Sequence, residues 1–391
     1  MASVGALEPT DLLLIQKGPA VLKPQFELTE TYDDNITYRE EETLSDFKTV
    51  VSPGLSLQVG SRTYNYVDFS YFYDRVQYID STELNANQHR AALVMRFEKS
   101  RFLLEGSDSF SHLSSPIGGG ISIEGIMVQR NTFIDDYRLT YDMSDRTALY
   151  FNALHSTVDF ESGVSLYDSF TLTGTLGFEY DAFSRTSFFG EFYYGMTEND
   201  RNDRAMPDYP TADFVGAFIG ARGTFTEKLT GTVKAGYEYR WYRGDQESLS
   251  APVFELSLIE RFSDLTTLSL TYSRRQRESV QFARSSYTSD SVSLNLLQNI
   301  GSEGRLRANF NATYLSSDYD LGSRPELGDS PQFLSGERQD HLVATGLTIT
   351  YDVKLWLRVF GGYDFEYLDS SAPRVSDYTV NRVSMGLALG Y

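Results

Sequence analysis

The sequence predicts an all-β fold, a transmembrane antiparallel up-and-down β-barrel of about 18 strands with short periplasmic turns and longer extracellular loops. Three observations predict it. Nearly every segment from Leu22 onward alternates apolar and polar residues at period two, as in Leu268-Ser269-Leu270-Thr271-Tyr272, the pattern of a strand with two unlike faces. Short and long breaks alternate between these segments. The chain closes on Val383-Ser384-Met385-Gly386-Leu387-Ala388-Leu389-Gly390-Tyr391, with every odd position apolar, every even one small and an aromatic last.

Composition excludes the competing classes. The 391 residues include no Cys and four His, so there is no disulfide framework and no thiolate metal site. No apolar run approaches the ~20 residues of a spanning helix. A net charge of -20 argues against nucleic acid, which calls for a basic footprint. The 27 Tyr and 26 Phe against 2 Trp suit a membrane interface, where half-polar rings are at home. No cofactor is indicated.

Residues 1–21 are expected as a periplasmic N-terminal segment and 22–391 as the barrel. Met1-Ala2-Ser3-Val4-Gly5-Ala6 lacks the basic start and apolar stretch of a secretory signal. The remainder of the chain implies a Gram-negative outer-membrane protein whose signal has been removed. Leu12-Leu13-Leu14-Ile15 is a short apolar patch before the first strand.

Along the chain, short breaks fall near Gly60-Ser61-Arg62, Glu98-Lys99-Ser100, Met143-Ser144-Asp145, Phe183-Ser184, Thr226-Glu227-Lys228, Ser263-Asp264, Gly301-Ser302-Glu303 and Val353-Lys354. Long ones lie around 33–45, 79–87, 113–128, 160–167, 198–211, 243–250, 279–287, 318–339 and 369–377. Eight turns and nine loops imply 18 strands, with both termini on the periplasmic side. The period of about 40 residues also occurs in β-propellers, but a blade needs four short strands per repeat and this sequence offers two long ones.

The closing strand resembles the terminal signal that the barrel assembly machinery reads, with Val383, Met385, Leu387, Leu389 and Tyr391 on the lipid side. The opening Leu22-Lys23-Pro24-Gln25-Phe26, followed by Thr31-Tyr32-Asp33-Asp34-Asn35-Ile36, resembles the start of the putative β-barrel porin type 2 family. Members of that family often occur with polysaccharide export systems, and exopolysaccharide-secretion barrels have been grouped with it. The resemblance implies a barrel and a transport role without naming a substrate.

Assigning the more apolar face of each strand to lipid turns Glu27, Asp68, Glu105, Glu191 and Glu255 into the lumen at mid-height, with Arg138 and Lys234. These predict either a salt-bridged interior or a weakly acidic belt. Arg96, Arg222, Arg261, Arg305, Arg307 and Arg358 lie near the short turns and predict a basic collar suited to carboxylates, phosphates or sulfates. The inward rings Tyr66, Phe72, Phe189, Tyr193, Phe214, Phe218, Trp356 and Phe360 are lumen filling or a surface for stacking sugars. The loops are acidic, with Asp33, Asp34, Glu40, Glu41 and Glu42 in the first read as a solvated face. The third loop differs: Pro116, Ile117, Gly118, Gly119, Gly120, Ile121 and Ile123 make it apolar and Gly-rich, which predicts a constriction folded into the pore or a cover on a neighbouring subunit.

No catalytic constellation emerges. His155 has Ser156 and Asp159 nearby, but adjacent strand residues point to opposite faces. The expected function is a porin-like channel for diffusion of small polar solutes or saccharides. Its alternatives are an exopolysaccharide-secretion pore working with periplasmic export components, and a plugged structural barrel. Outer-membrane lipid and lipopolysaccharide are the expected surroundings, with the oligomeric state, monomer or trimer, left open.

Overall fold

The computed structural model describes residues 13–115, 128–161, 166–201, 211–243, 248–279, 286–301, 304–320, 338–371 and 377–390. A short strand β1 (Ile15–Lys17) precedes the wall. The wall strands are β2 (Ala20–Asp33), β3 (Asp46–Gly60), β4 (Tyr66–Tyr78), β5 (Ala86–Lys99), β6 (Phe102–Ser115), β7 (Val128–Ser144), β8 (Thr147–Phe160), β9 (Tyr167–Phe183) and β10 (Thr186–Arg201). They continue as β11 (Ala212–Thr224), β12 (Leu229–Tyr242), β13 (Leu249–Ser263), β14 (Thr266–Glu278), β15 (Ser286–Ile300), β16 (Leu306–Asp320), β17 (Arg338–Lys354), β18 (Leu357–Ser370) and β19 (Tyr378–Leu389). Each pairs antiparallel with its sequence neighbours, and β19 pairs with β2. Eighteen strands thus close on themselves, which removes every open edge, as a lipid environment demands.

All eight short turns fall where the sequence places them. Four of the two-residue turns, at 145–146, 184–185, 264–265 and 355–356, carry a register shift beside them. An extra residue on one strand restores the strand twist that a tight turn of the common type would splay. The wall opens at Ala20 rather than Leu22. Gly18, at φ +60°, turns the chain so that β1 pairs with the first residues of β2. β1 therefore extends the wall below the point where β19 ends at Phe26.

The two faces follow from exposure and register. Ile219, Met385, Phe192, Val383 and Phe188 are among the most exposed large apolar side chains. Residues directly paired across strands share a face, so these mark the outer surface around the barrel. Val383, Met385, Leu387 and Leu389 all lie on it, while Ser384, Gly386 and Ala388 face the lumen. Tyr391 lies outside the described residues.

The extracellular mouth departs from expectation. The first loop does not lie wholly in solvent. Ile36 is buried among the inward side chains Val76, Tyr78 and Ala86, and Tyr38 packs against the cluster of Leu342, Leu368, Tyr378 and Val380. Burial pushes the Tyr38 phenol well up. Asp33 is ion-paired with Arg382 at 2.8 Å, and Asp34 accepts from Asn381 Nδ2 at 2.7 Å. Only Glu40, Glu41 and Glu42 keep the predicted exposure. The apolar segment Pro116–Ile123 of the third loop lies outside the described residues.

Candidate functional site

The inward side chains of β7 to β14 form one continuous wall, built on glycine. In eight places an aromatic ring registered directly opposite a glycine on the next strand lies within overlap distance of where that residue's Cβ would be. The inward cases are Phe72 with Gly54, Tyr150 with Gly177, Phe189 with Gly220, Tyr193 with Gly216, Phe214 with Gly195, Phe218 with Gly236 and Phe360 with Gly386. The outward one is Tyr137 with Gly106. A Cβ at any of these glycines would overlap the ring, so each ring lies flat where a side chain is missing. Glycine within a strand commonly marks such a close approach.

The other face of most inward rings is capped by a cation. The Arg138 guanidinium lies 3.7 Å from the Tyr150 centroid, Arg222 4.3 Å from Phe189, Arg240 4.6 Å from Phe214 and Arg90 5.1 Å from Phe72. Lys234 Nζ stands 4.4 Å from Phe218. Cations are attracted to ring faces at these distances. Phe189, Phe214, Phe218 and Tyr150 are buried beneath these cations, and Tyr193 is buried by stacking on Phe218 at 5.5 Å. Of the two readings of the inward rings, lumen filling fits these five, which serve as pedestals for charge with faces closed to a solute. Trp356 sits in a turn rather than on the wall, its carbonyl accepting from Gly390 N–H at 3.1 Å. Tyr66 shares the inward face with its partner Arg96.

Carboxylates knit the cations together. Glu179 lies 3.7 Å from Arg138 and 3.4 Å from Arg222. Tyr150 donates to Glu191 at 2.7 Å and accepts from Arg222 at 3.0 Å. Lys234 then bridges Glu191 at 3.3 Å and Glu255 at 2.8 Å, and Arg275 contacts Glu255 from the far side. Nearby, Arg240 joins Glu238 at 2.9 Å and Glu278 at 2.7 Å, while Tyr193 donates to Glu238 at 2.9 Å. Five cations (Arg138, Arg222, Lys234, Arg240, Arg275) face five carboxylates.

Of the two readings of the inward charges, the geometry fits the salt-bridged interior, and it alters the collar. The acidic side chains face inward as placed, yet Asp68 is paired with Arg62 at 2.6 Å, Glu105 with Arg96 at 2.6 Å, and Glu191 and Glu255 with Lys234. Glu27 accepts from Thr29 at 3.3 Å and has no ion pair among the described residues. The belt is neutralised rather than acidic. The collar is reduced too. Arg222 reaches up into the wall network, and Arg96 is held by Glu98 and Glu105. At the periplasmic rim stand Arg261, Arg305 in its turn, and Arg307 and Arg358, which share the single carboxylate of Asp352 at 2.9 and 3.1 Å.

Sequence reasoning missed Tyr150, Glu179, Glu238, Arg240, Arg275 and Glu278. Strand parity alone marks Tyr150, Glu179, Glu238, Arg240 and Arg275 as inward; their meeting depends on register, which parity does not supply. His155 faces outward and bonds Asp135 at 2.8 Å and Thr157 Oγ1 at 2.8 Å. These are nucleophile-base-acid distances, but the surrounding N–H groups are spent in the β7–β8–β9 ladder.

The chain is similar in structure to OccK3 (OpdO) of Pseudomonas aeruginosa, at 12% identity with a TM-score of 0.47, covering 94% of this chain and 95% of that one. It is similar to the outer membrane protein opdK of the same organism at 11% identity and 0.48, covering 94% and 98%. For OccAB4 of Acinetobacter baumannii the values are 12% and 0.45, with 95% and 98% covered. No curated protein matches. The family described as Putative beta-barrel porin 2 matches residues 167–391, more than half of the chain and the part that carries most of the charged wall. The chain belongs to that family, and the closed wall with its water-facing polar interior makes it a porin-like outer-membrane channel.

Proposed function

We propose that the lumen passes hydroxyl-rich solutes, saccharides above all, by diffusion along the β7–β14 wall. The balanced pairing on that wall carries the proposal. Five cations and five carboxylates in two adjoining clusters offer donors and acceptors side by side without net charge. Sugar hydroxyls both donate and accept, so they can exchange water for this surface, whereas a wall of one sign would select ions. The barrel would stand in a Gram-negative outer membrane, its signal removed, acting as a channel and not as an enzyme.

Planar-bilayer recording with a neutral oligosaccharide tests this. The expected result is transient current blockades whose residence shortens when Arg138 and Arg222 are both replaced by Met. Residence times that are identical in wild type and variant would remove the wall from the mechanism. Hydrolysis of lipid by the refolded protein, lost in His155→Ala, would overturn the non-enzymatic reading.

The periplasmic rim favours a second reading, export of an acidic polysaccharide supplied by periplasmic components. Arg307 and Arg358 share one carboxylate and Arg261 stands on the same rim at the end of β13, so the entrance keeps positive charge and attracts polyanions. Replacing Arg305 and Arg307 by Gln should then reduce blockades by an acidic oligosaccharide added on the periplasmic side and leave neutral sugars unaffected. Equal blockade frequencies in both proteins would leave plain diffusion as the sole reading.

A further inference from the structure

The outer surface is apolar on β9 to β11 and on β16 to β19; an ion pair, Arg274 with Asp290 at 3.0 Å, interrupts it on β14 and β15, and the widest polar stretch lies across β4 to β8. Outward residues on β9 to β11 and on β16 to β19 include Leu172, Leu176, Phe192, Ile219, Phe310, Leu347 and Met385. Across β4 to β8 the same face carries a chain of polar groups. Arg75 and Tyr73 both donate to Asn87, at 2.9 and 2.6 Å. Tyr71 bonds His89 at 2.8 Å, and His112 bonds Asn131 at 2.9 Å. Asp108 and Asp135 are registered directly opposite one another. Tyr137 donates to Asp108 at 2.7 Å, and Asp135 holds His155.

Asp108 lies near the middle of β6, well above the girdle ring Phe102, so both carboxylates stand at mid-membrane height on the side that should meet lipid. Hydrocarbon supplies no hydrogen-bond partners, and charge on the lipid face is least tolerated at this depth. Bonds within the patch satisfy only part of each carboxylate, which has about four acceptor sites. The surface therefore calls for a polar cover that is itself embedded in the membrane.

We propose that the cover is the same sector of a second copy of this chain, across a two-fold axis that runs along the membrane normal through β6. The charge order within the patch supports this. One edge, on β4 and β5, presents Arg75 and His89; the other, on β7 and β8, presents Asp135 and the exposed Asp159. A two-fold axis along the normal keeps heights and reverses lateral order. It sets the Arg75–His89 edge of one copy against the Asp135–Asp159 edge of the other, twice. A single self-complementary patch is what a two-fold interface needs, whereas a three-fold ring needs two different patches. Phe110 and Phe133, paired with each other on the same face, supply apolar packing next to the axis. The interface is independent of which solute the lumen carries.

The chain has no cysteine, so single introduced thiols report without background. Phe110→Cys places one on the outer face of β6 next to the proposed axis. Phe310→Cys places one on the outer face of β16, in the apolar sector. Mild oxidation in native membranes should link most F110C protein into a species of two chains and leave F310C monomeric. Co-expressed long-tagged and short-tagged copies should give the mixed dimer. Adding Arg75→Gln should lower F110C cross-linking several-fold while the monomer keeps its folded-barrel mobility on unheated gels. Dimer yields no higher for F110C than for F310C overturn the proposal. So does an F110C adduct containing a different protein.

Discussion

At the scale of single residues, the wall depends on glycines as much as on charges. Gly216 gives Tyr193 the space to lie flat and reach Glu238. Gly216→Ala is therefore expected to lift the ring, break the hydroxyl bond and cost about 1–3 kcal/mol, the usual range for overpacking a filled site. The urea midpoint of the refolded barrel measures this; an unchanged midpoint would mean that the ring has room to move. Arg240 is a sharper case. Its guanidinium and the carboxylates of Glu238 and Glu278 are all buried, so Arg240→Met leaves two enclosed carboxylates without their cation. Removing one partner of a buried pair costs about 3–5 kcal/mol, so the same urea experiment should show a larger shift than for G216A. Face assignment at this scale was legible: Glu105, Arg138, Glu191, Lys234 and Glu255 all point inward as parity required. Their partners were not. A sequence pattern tells which face a side chain takes but not which residue on the next strand stands beside it.

At the scale of elements, the eight turns were legible because tight reversals concentrate Gly, Ser, Asp and Lys between long alternating runs. The fate of the first loop was not. Its run of Asp and Glu reads as solvated, yet Asp33, Asp34 and Asn35 serve to fasten the closing seam. Asn35 donates to Thr379 carbonyl at 3.0 Å, Asp34 receives Asn381, and Arg382 ties Asp33 to Glu366. These bonds cross from the start of the chain to its end, where β19 and β2 pair over Phe26–Asp33 alone. Arg382→Met should therefore loosen the loop and the seam together. In intact outer membranes trypsin is expected to cut after Arg39 faster than in wild type, with the barrel otherwise resistant. If Arg39 is cleaved at the wild-type rate, the loop is held by its apolar contacts, Ile36 and Tyr38, and not by the ion pairs.

At the scale of the whole molecule, the net charge of -20 is a poor guide to what the pore selects, because charge is sorted by position. The mid-wall is balanced. The exposed Glu40, Glu41 and Glu42 lie at the extracellular mouth, whereas the periplasmic rim holds Arg261 and the Arg307–Arg358 pair on one Asp352. The two mouths thus carry opposite signs with a neutral segment between them. Such an axial arrangement concentrates cations at one entrance and anions at the other, so it should rectify current more than it selects one ion. The expected reversal potential in a KCl gradient is small, with conductance that differs between the two voltage polarities. Exposed charges act over a Debye length of about 10 Å at 0.1 M salt and 3 Å at 1 M, so the rectification should be evident at the lower salt and fade at the higher. Replacing Arg261 and Arg358 by Gln lowers the positive charge of that mouth while leaving Arg305 in place and Arg307 on Asp352, and should shift the reversal potential toward cation selectivity at low salt. A strongly cation-selective wild-type pore, or a double variant whose currents match wild type at both salt levels, would place the governing charge elsewhere in the lumen.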